Sequence, residues 1–232
     1  MLESLAEYAG ALSVVILLAI LIAWPKVEVR FARFLILGLM TVALGMFVSV
    51  GWFAPAEVIV LDVGQGDAIL VRQGSSTLLV DTGADESVVT ALARHGVWRL
   101  DTVLIPHMHD DHYGGLGSLR GHVLVGKILV GEGVSRNLPA MVSVAVGLLG
   151  CEVEELRYGD FVRVGDFNLR MVWPHVPTDG SENADSIELT LDYHSEEKSL
   201  TALLTGDAEK SETAEVLRFH WMRRGQRRLI PK

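Results

Sequence analysis

Residues 104–116 read LIPHMHDDHYGGL. Behind the apolar run Val103, Leu104, Ile105 and Pro106, six positions hold His107, His109, Asp111 and His112. Three imidazoles and two carboxylates on so short a stretch are poor core material, because each would need a polar partner if buried. They suit a metal. Imidazole nitrogen and carboxylate oxygen are zinc ligands, and residues alternating at the end of an extended segment can point into one cavity. A solvated histidine-rich loop is the bland alternative, and this spacing disfavours it.

Such a motif needs a strand to deliver it and neighbours to brace it. Asp101–Ile105 is that strand. Before it, EVIVLDV (57–63), AILVRQ (68–73) and STLLVD (76–81) are rich in β-branched and apolar residues and are separated by glycine-containing turns. The link GQGD (64–67) suits a tight turn where backbone comes close to something, and Gly74-Ser75-Ser76 suits a hairpin. ESVVTALARHGV (86–97) reads as an amphipathic helix with Gly96 near its end. Beyond the motif, VLVGKILV (123–130) is a strand and LPAMVSVAVGLLG (138–150) a helix closed by Gly150. CEVEEL, DFVRV, NLRMVWP, SIELTLDYH (186–194) and SLTALLTGD (199–207) read as strands, and KSETAEVLRFHW (210–221) as a helix with Ser211 as its cap. Strands first, then a helix, then more strands with helices between, fit an α+β chain folded as a two-sheet αβ/βα sandwich.

The excess of hydrophobic residues (50%, mean hydropathy +0.34) is concentrated in the first 56 positions. Tyr8–Trp24 carries no charge over 17 residues and Phe34–Ala56 none over 23, so each is long enough to cross a bilayer as a helix. Two transmembrane helices are expected, at about 8–24 and 34–53. A signal peptide would want a basic start, whereas this chain begins with Glu3 and Glu7. The link PKVEVRFAR carries three basic residues against Glu28, which places it in the cytoplasm and the domain after residue 56 outside. The expected division is a membrane anchor (1–56), a soluble domain (57–217) and a basic, irregular tail (218–232). A single cysteine, Cys151, excludes an internal disulfide and a Cys-rich zinc site. The net charge is −9 with six basic residues in the tail, leaving −15 on residues 1–217. A body that acidic is not a general nucleic-acid-binding surface.

The spacing H-x-H-x-D-H resembles the first metal motif of the metallo-β-lactamase superfamily. VLDVGQGDAILV, LLVDTG, HxHxDH-x-GGL and LLTGDAE, in that order over about residues 57–209, resemble more narrowly the C-terminal hydrolase-like domain of ComEC-type competence proteins. Those are bacterial channels that bring transforming DNA across the inner membrane. The resemblance implies that His107 and His109 serve one metal site, Asp111 and His112 a second, and that Asp207 bridges them. One or two zinc or manganese ions are then the cofactors, with Asp111 and Asp207 orienting the nucleophile. Asp67 and Asp81 fall on motif positions that back the ligands or shape the loop. Asn183 stands where many members of the superfamily supply a further histidine. His95, His122, His175, His194 and His220 read as surface histidines.

The resemblance also implies an inner-membrane protein that acts with other channel subunits and hydrolyses a phosphodiester in single-stranded DNA. In the family a further strand and a late GHHGS-type motif follow TGDAE; here 25 residues follow Asp207 and contain neither. The expectation is therefore a sandwich incomplete at its C-terminus, from a broken gene or an altered reading frame. The alternative function is an inactive truncated fragment, or a membrane-anchored partner of a separately encoded DNA channel.

Overall fold

The computed structural model of the chain describes residues 15, 18, 19, 30–52, 54–196 and 198–227. Helix α1 (Arg30–Trp52) covers the second apolar segment; the first lies almost wholly outside the described residues. Side chains of α1 are described only as far as Gly45. Among the described residues no helix is long and apolar enough to cross a membrane.

The domain that follows has two sheets. The first contains β1 (Glu57–Val60), β2 (Ile69–Gln73), β3 (Ser76–Val80), β4 (Arg99–Leu104), β5 (Leu124–Gly131) and β6 (Glu152–Leu156), paired in chain order. β1, β2 and β3 are antiparallel; β3 to β6 are parallel. The parallel pairs need crossovers, and these supply α2 (Ser87–Arg94), the short helix α3 (Asp110–Tyr113) and α4 (Ala140–Leu149). The second sheet is antiparallel, in the order β10 (Ser199–Leu204), β9 (Glu188–His194), β8 (Phe167–Trp173), β7 (Phe161–Val164). A last helix, α5 (Lys210–Arg227), follows it.

The central strands carry unbroken apolar runs because both faces of the first sheet are covered. Leu79, Val103, Ile128 and Val130 point into a core shared with α2 and α4. The alternate residues Leu78, Val80, Leu104 and Leu129 point into a second core, against Phe167, Leu169, Met171, Leu189 and Leu191 of the second sheet. Cys151 is half-buried at the margin of the first core. Gln73 and Asp166 fasten the two sheets at one end: the Gln73 amide donates to the Asp166 carboxylate at 2.8 Å, and the Asp166 amide donates back at 2.7 Å.

The expected αβ/βα sandwich is thus the observed one. The tail differs from expectation. It was expected to be irregular from residue 218, but helix α5 continues to Arg227. Arginine, methionine and glutamine are good helix formers, and the first proline after Lys210 is Pro231. Arginines near a helix C-terminus also complement its dipole.

One buried carboxylate makes stability depend on pH. Glu188 is fully buried in β9; Thr213 of α5 donates to one oxygen at 3.4 Å, while the other has no partner. Burial pushes its pKa up from 4.5 to about 7, against the hydrogen bond from Thr213. A raised carboxylate favours the folded state most fully below the unfolded value and loses that advantage as pH rises from about 4.5 through 7. Glu188→Gln has no charge to bury. Its stability relative to the parent chain, followed by chemical denaturation, is expected to improve by on the order of 2–3 kcal/mol between pH 4.5 and pH 8. A pH-independent difference would refute this account.

Candidate metal centre

β3 and β4 are parallel, so their C-terminal ends open at the same edge. Asp81 follows β3 directly and His107 comes three residues after β4. The second sheet reaches the same edge through Asp207, three residues beyond β10. Two bonds close that edge, the first between the sheets and the second within the end of the second sheet. The Ile187 amide donates to the Pro106 carbonyl at 3.1 Å, and the Asp207 amide donates to Ser186 Oγ at 3.2 Å.

The loop after β4 brings the histidines into contact. The His107 and His109 rings meet edge to face, with His107 Nε2 and His109 Nδ1 3.0 Å apart. His107 and His112 ring centroids are 4.1 Å apart. His109 Nε2 stands 2.9 Å from the Ser181 carbonyl, so a proton on that nitrogen is donated to it. His112 is held on two sides. Its ring Nδ1 lies 2.8 Å from Asp81 Oδ1, and its carbonyl accepts from the Thr82 amide (2.8 Å) and hydroxyl (2.9 Å).

Two glycine-bearing loops press against this arrangement. A Cβ on Gly66 of the GQGD turn would overlap the Asp111 carbonyl, and one on Gly115 would overlap that of Thr82. The close approach expected of GQGD is therefore to the motif itself. Asp81 adopts φ 64°, a left-handed backbone that L residues other than Asn and Asp rarely take.

His107 and His112 are buried, and each has a ring nitrogen without a protein partner: Nδ1 of His107 and Nε2 of His112. His112 Nε2 faces Asp207 Oδ2 at 3.5 Å and Asp111 Oδ1 at 3.7 Å. With bonds of 2.0–2.2 Å, two ligands of one tetrahedral cation stand about 3.5 Å apart, so His112 Nε2 stands at ligand spacing from each carboxylate. Ligand atoms of His107, His112 and Asp207 all lie within 4.8 Å of one another. The donor set of imidazole and carboxylate fits zinc or manganese.

The electrostatics separate the two buried imidazoles. Burial, together with the neighbouring His112 and His109, pushes His107 down to about 4, which keeps it neutral and able to donate a lone pair. For His112 burial acts in the same direction, but the Asp81 hydrogen bond and the charges of Asp81, Asp207 and Asp111 outweigh it and raise the ring to about 9. A cation bound at Nε2 would displace that proton. Burial raises the Asp81 carboxyl to about 6, and the His112 partner works against that rise.

The remaining residues singled out in the sequence are placed as follows. Asp67 is exposed, and its backbone carbonyl accepts from the Gly83 amide at 2.9 Å. Asn183 opens a short 3-10 turn (Asn183–Asp185), and its side-chain oxygen is buried without a partner. His175 is exposed and packs against Tyr158 and Trp173, with Glu215 at 3.9 Å. Sequence reasoning missed Ser181, whose carbonyl meets His109, and Ser186, which holds the Asp207 amide. Neither stands in a motif, so nothing marked them.

The full chain, loaded with zinc or manganese and desalted, is expected to keep about one to two ions. His112→Ala should lose that metal. Asp81→Asn, which keeps the shape but weakens the grip on Nδ1, should lower affinity roughly 10- to 100-fold in chelator competition. Unchanged metal content in His112→Ala would dismantle the proposed centre.

Comparison with known proteins agrees with this geometry. Residues 61–228 match the family model of the metallo-beta-lactamase superfamily. The chain is 26% identical over 199 residues to ComE operon protein 3 of Bacillus subtilis (strain 168), covering 76% of this chain and 25% of that protein. It is 40% identical over 81 residues to competence protein ComA of Neisseria gonorrhoeae, covering 33% of this chain and 12% of that protein. The chain thus spans about a quarter of the length of the first relative and less of the second. Among solved structures, a beta-lactamase from Chitinophaga pinensis shares the fold at TM-score 0.50 and 16% identity, over 64% of this chain and 59% of that one. The chain belongs to the metallo-beta-lactamase superfamily and is homologous there to the ComEC-type proteins ComE operon protein 3 and ComA.

Proposed function

We propose that the chain is a membrane-anchored, metal-dependent hydrolase of the DNA-uptake apparatus, acting on a phosphodiester of single-stranded DNA. The observation that carries this reading is the buried, unpartnered Nε2 of His112 facing the Asp111 and Asp207 carboxylates. His107, His109, Asp111, His112 and Asp207 would hold one or two divalent ions, zinc or manganese. A divalent cation held by these residues would supply Lewis acidity and acidify water near neutral pH. The chain's own residues do the positioning. Asp81 fixes the tautomer and tilt of His112, and Ser181 does the same for His109 through its carbonyl. Asp111 and Asp207, each about one-third exposed at the side chain, can accept a proton from the attacking water and orient it. DNA as substrate, and other channel subunits as partners, rest on the homology to competence proteins. The anchors at about 8–24 and 34–53 rest on their uncharged apolar runs, and the extracytoplasmic face of the domain on the basic link between them; the inner-membrane location rests on the homology as well.

A second reading is a domain that binds metal without turnover. It is favoured by Asn183, which stands where a further histidine would complete the His107–His109 side. The two are separated by incubating the purified full chain with end-labelled single-stranded DNA, with manganese or zinc and with chelator. Metal-dependent cleavage that falls at least about 100-fold in Asp207→Asn supports the hydrolase. Bound metal without cleavage of any phosphodiester supports the second reading.

A further inference from the structure

The end of the domain opposite the metal centre has its own chemistry. β3, β4 and β5 begin there, so their N-terminal turns share one pole. A groove of about 380 Å³ joins the chain's entry at Ala54 to Gly74 and Ser76 of the β2–β3 hairpin and to Trp98 and Arg99. The Gly74 amide donates to the Ala54 carbonyl at 2.8 Å, which pins the entry point to this pole. Helix α1 ends at Trp52, two residues before Ala54. Two residues span at most about 7 Å, so chain connectivity alone brings the apolar segment to this end of the domain.

The exposed side chains of the pole are of an unusual kind. Trp98 is 51% exposed and Leu124 64%, and the two residues are joined by the Leu124 amide donating to the Trp98 carbonyl at 2.9 Å. Arg94, Arg99 and Arg120, in the same turns, are all exposed, and Arg99 is paired with Asp101 at 3.0 Å. In the turns 74–77, 94–101 and 120–124 the only acid is Asp101, which accepts from Arg99; at the same end Glu57 is paired with Arg72, Asp166 accepts from Gln73, and Glu152 opens β6. An exposed tryptophan with an apolar neighbour and arginines in the same turns is the composition of a membrane–water interface.

We propose that this pole rests on the surface of an anionic phospholipid bilayer, with Trp98 and Leu124 at headgroup depth and the three arginines against lipid phosphates. The proposal builds on the anchoring of residues 34–53 proposed above, and adds an orientation. β4 runs six residues from Arg99 to Leu104. At about 3.3 Å per residue, the metal centre at its far end stands roughly 20–25 Å from the lipid and faces away from it.

The test uses the full chain reconstituted into vesicles of phosphatidylcholine and phosphatidylglycerol, with and without a lipid carrying a nitroxide quencher at its headgroup. The Trp98 emission is read as the difference between the parent chain and Trp98→Phe. That of Trp173, at the far end of β8, is read from Trp173→Phe. The quencher is expected to remove about half or more of the Trp98 emission and little of that of Trp173. Replacing Arg94, Arg99 and Arg120 by glutamate should reduce that quenching about twofold while the chain still floats with the vesicles. If the chain floats but Trp98 is not quenched, a protein or a second copy covers this pole. The proposal then falls while the anchor stands. If the chain does not float with vesicles, the anchor reading falls and takes this one with it.

Discussion

The contact between His112 and Asp81 is the constraint around which this domain is built. Two groups that would each be costly to bury alone are buried together, 2.8 Å apart. Their pairing leaves the other face of the imidazole free to look at Asp111 and Asp207. The surrounding structure serves that geometry. β3 and β4 must be parallel and adjacent so that Asp81 and the histidine loop leave the sheet side by side. Thr82 must clamp the His112 backbone, and residues 66 and 115 must lack side chains so that the loops can close.

Position 81 answers to two demands at once. Its backbone lies at φ 64°, which a glycine or asparagine would accept and most residues would strain against. Its side chain must accept a hydrogen bond from His112. Glycine meets the first demand and leaves the imidazole unheld; glutamate meets the second and pays in backbone strain. Aspartate is one of very few residues that satisfy both.

Much of this was legible in the sequence. The HxHxDH spacing, the apolar strands and the order of the motifs specify a two-sheet fold, which forms, with imidazoles and carboxylates that could hold a metal gathered at one edge. A period of two in the strands and unbroken apolar runs in the centre reveal which strands are covered on both faces. Ser181 and Ser186 were not legible, because they act through a backbone carbonyl and a single hydroxyl, and such roles leave no pattern of residue types. Nor was the opposite pole. Trp98, Leu124, Arg94, Arg99 and Arg120 are scattered over 31 positions and become neighbours only because parallel strands begin side by side. The helical continuation to Arg227 was obscured by a change in charge that reads as a change in structure.

The residues that could hold a metal are drawn from both sheets: His107 and His112 from the first, Asp207 from the second, 95 positions further along the chain than His112. A cation gripping both is then a clasp between layers. Before the sheets dock, only half of the coordination sphere exists and affinity is weak. After docking, the binding energy adds to the cohesion of the interface. The His112–Asp207 contact closes a loop of 95 positions, and such closure carries a large chain-entropy cost. Metal capture would therefore report that the second sheet has found the first.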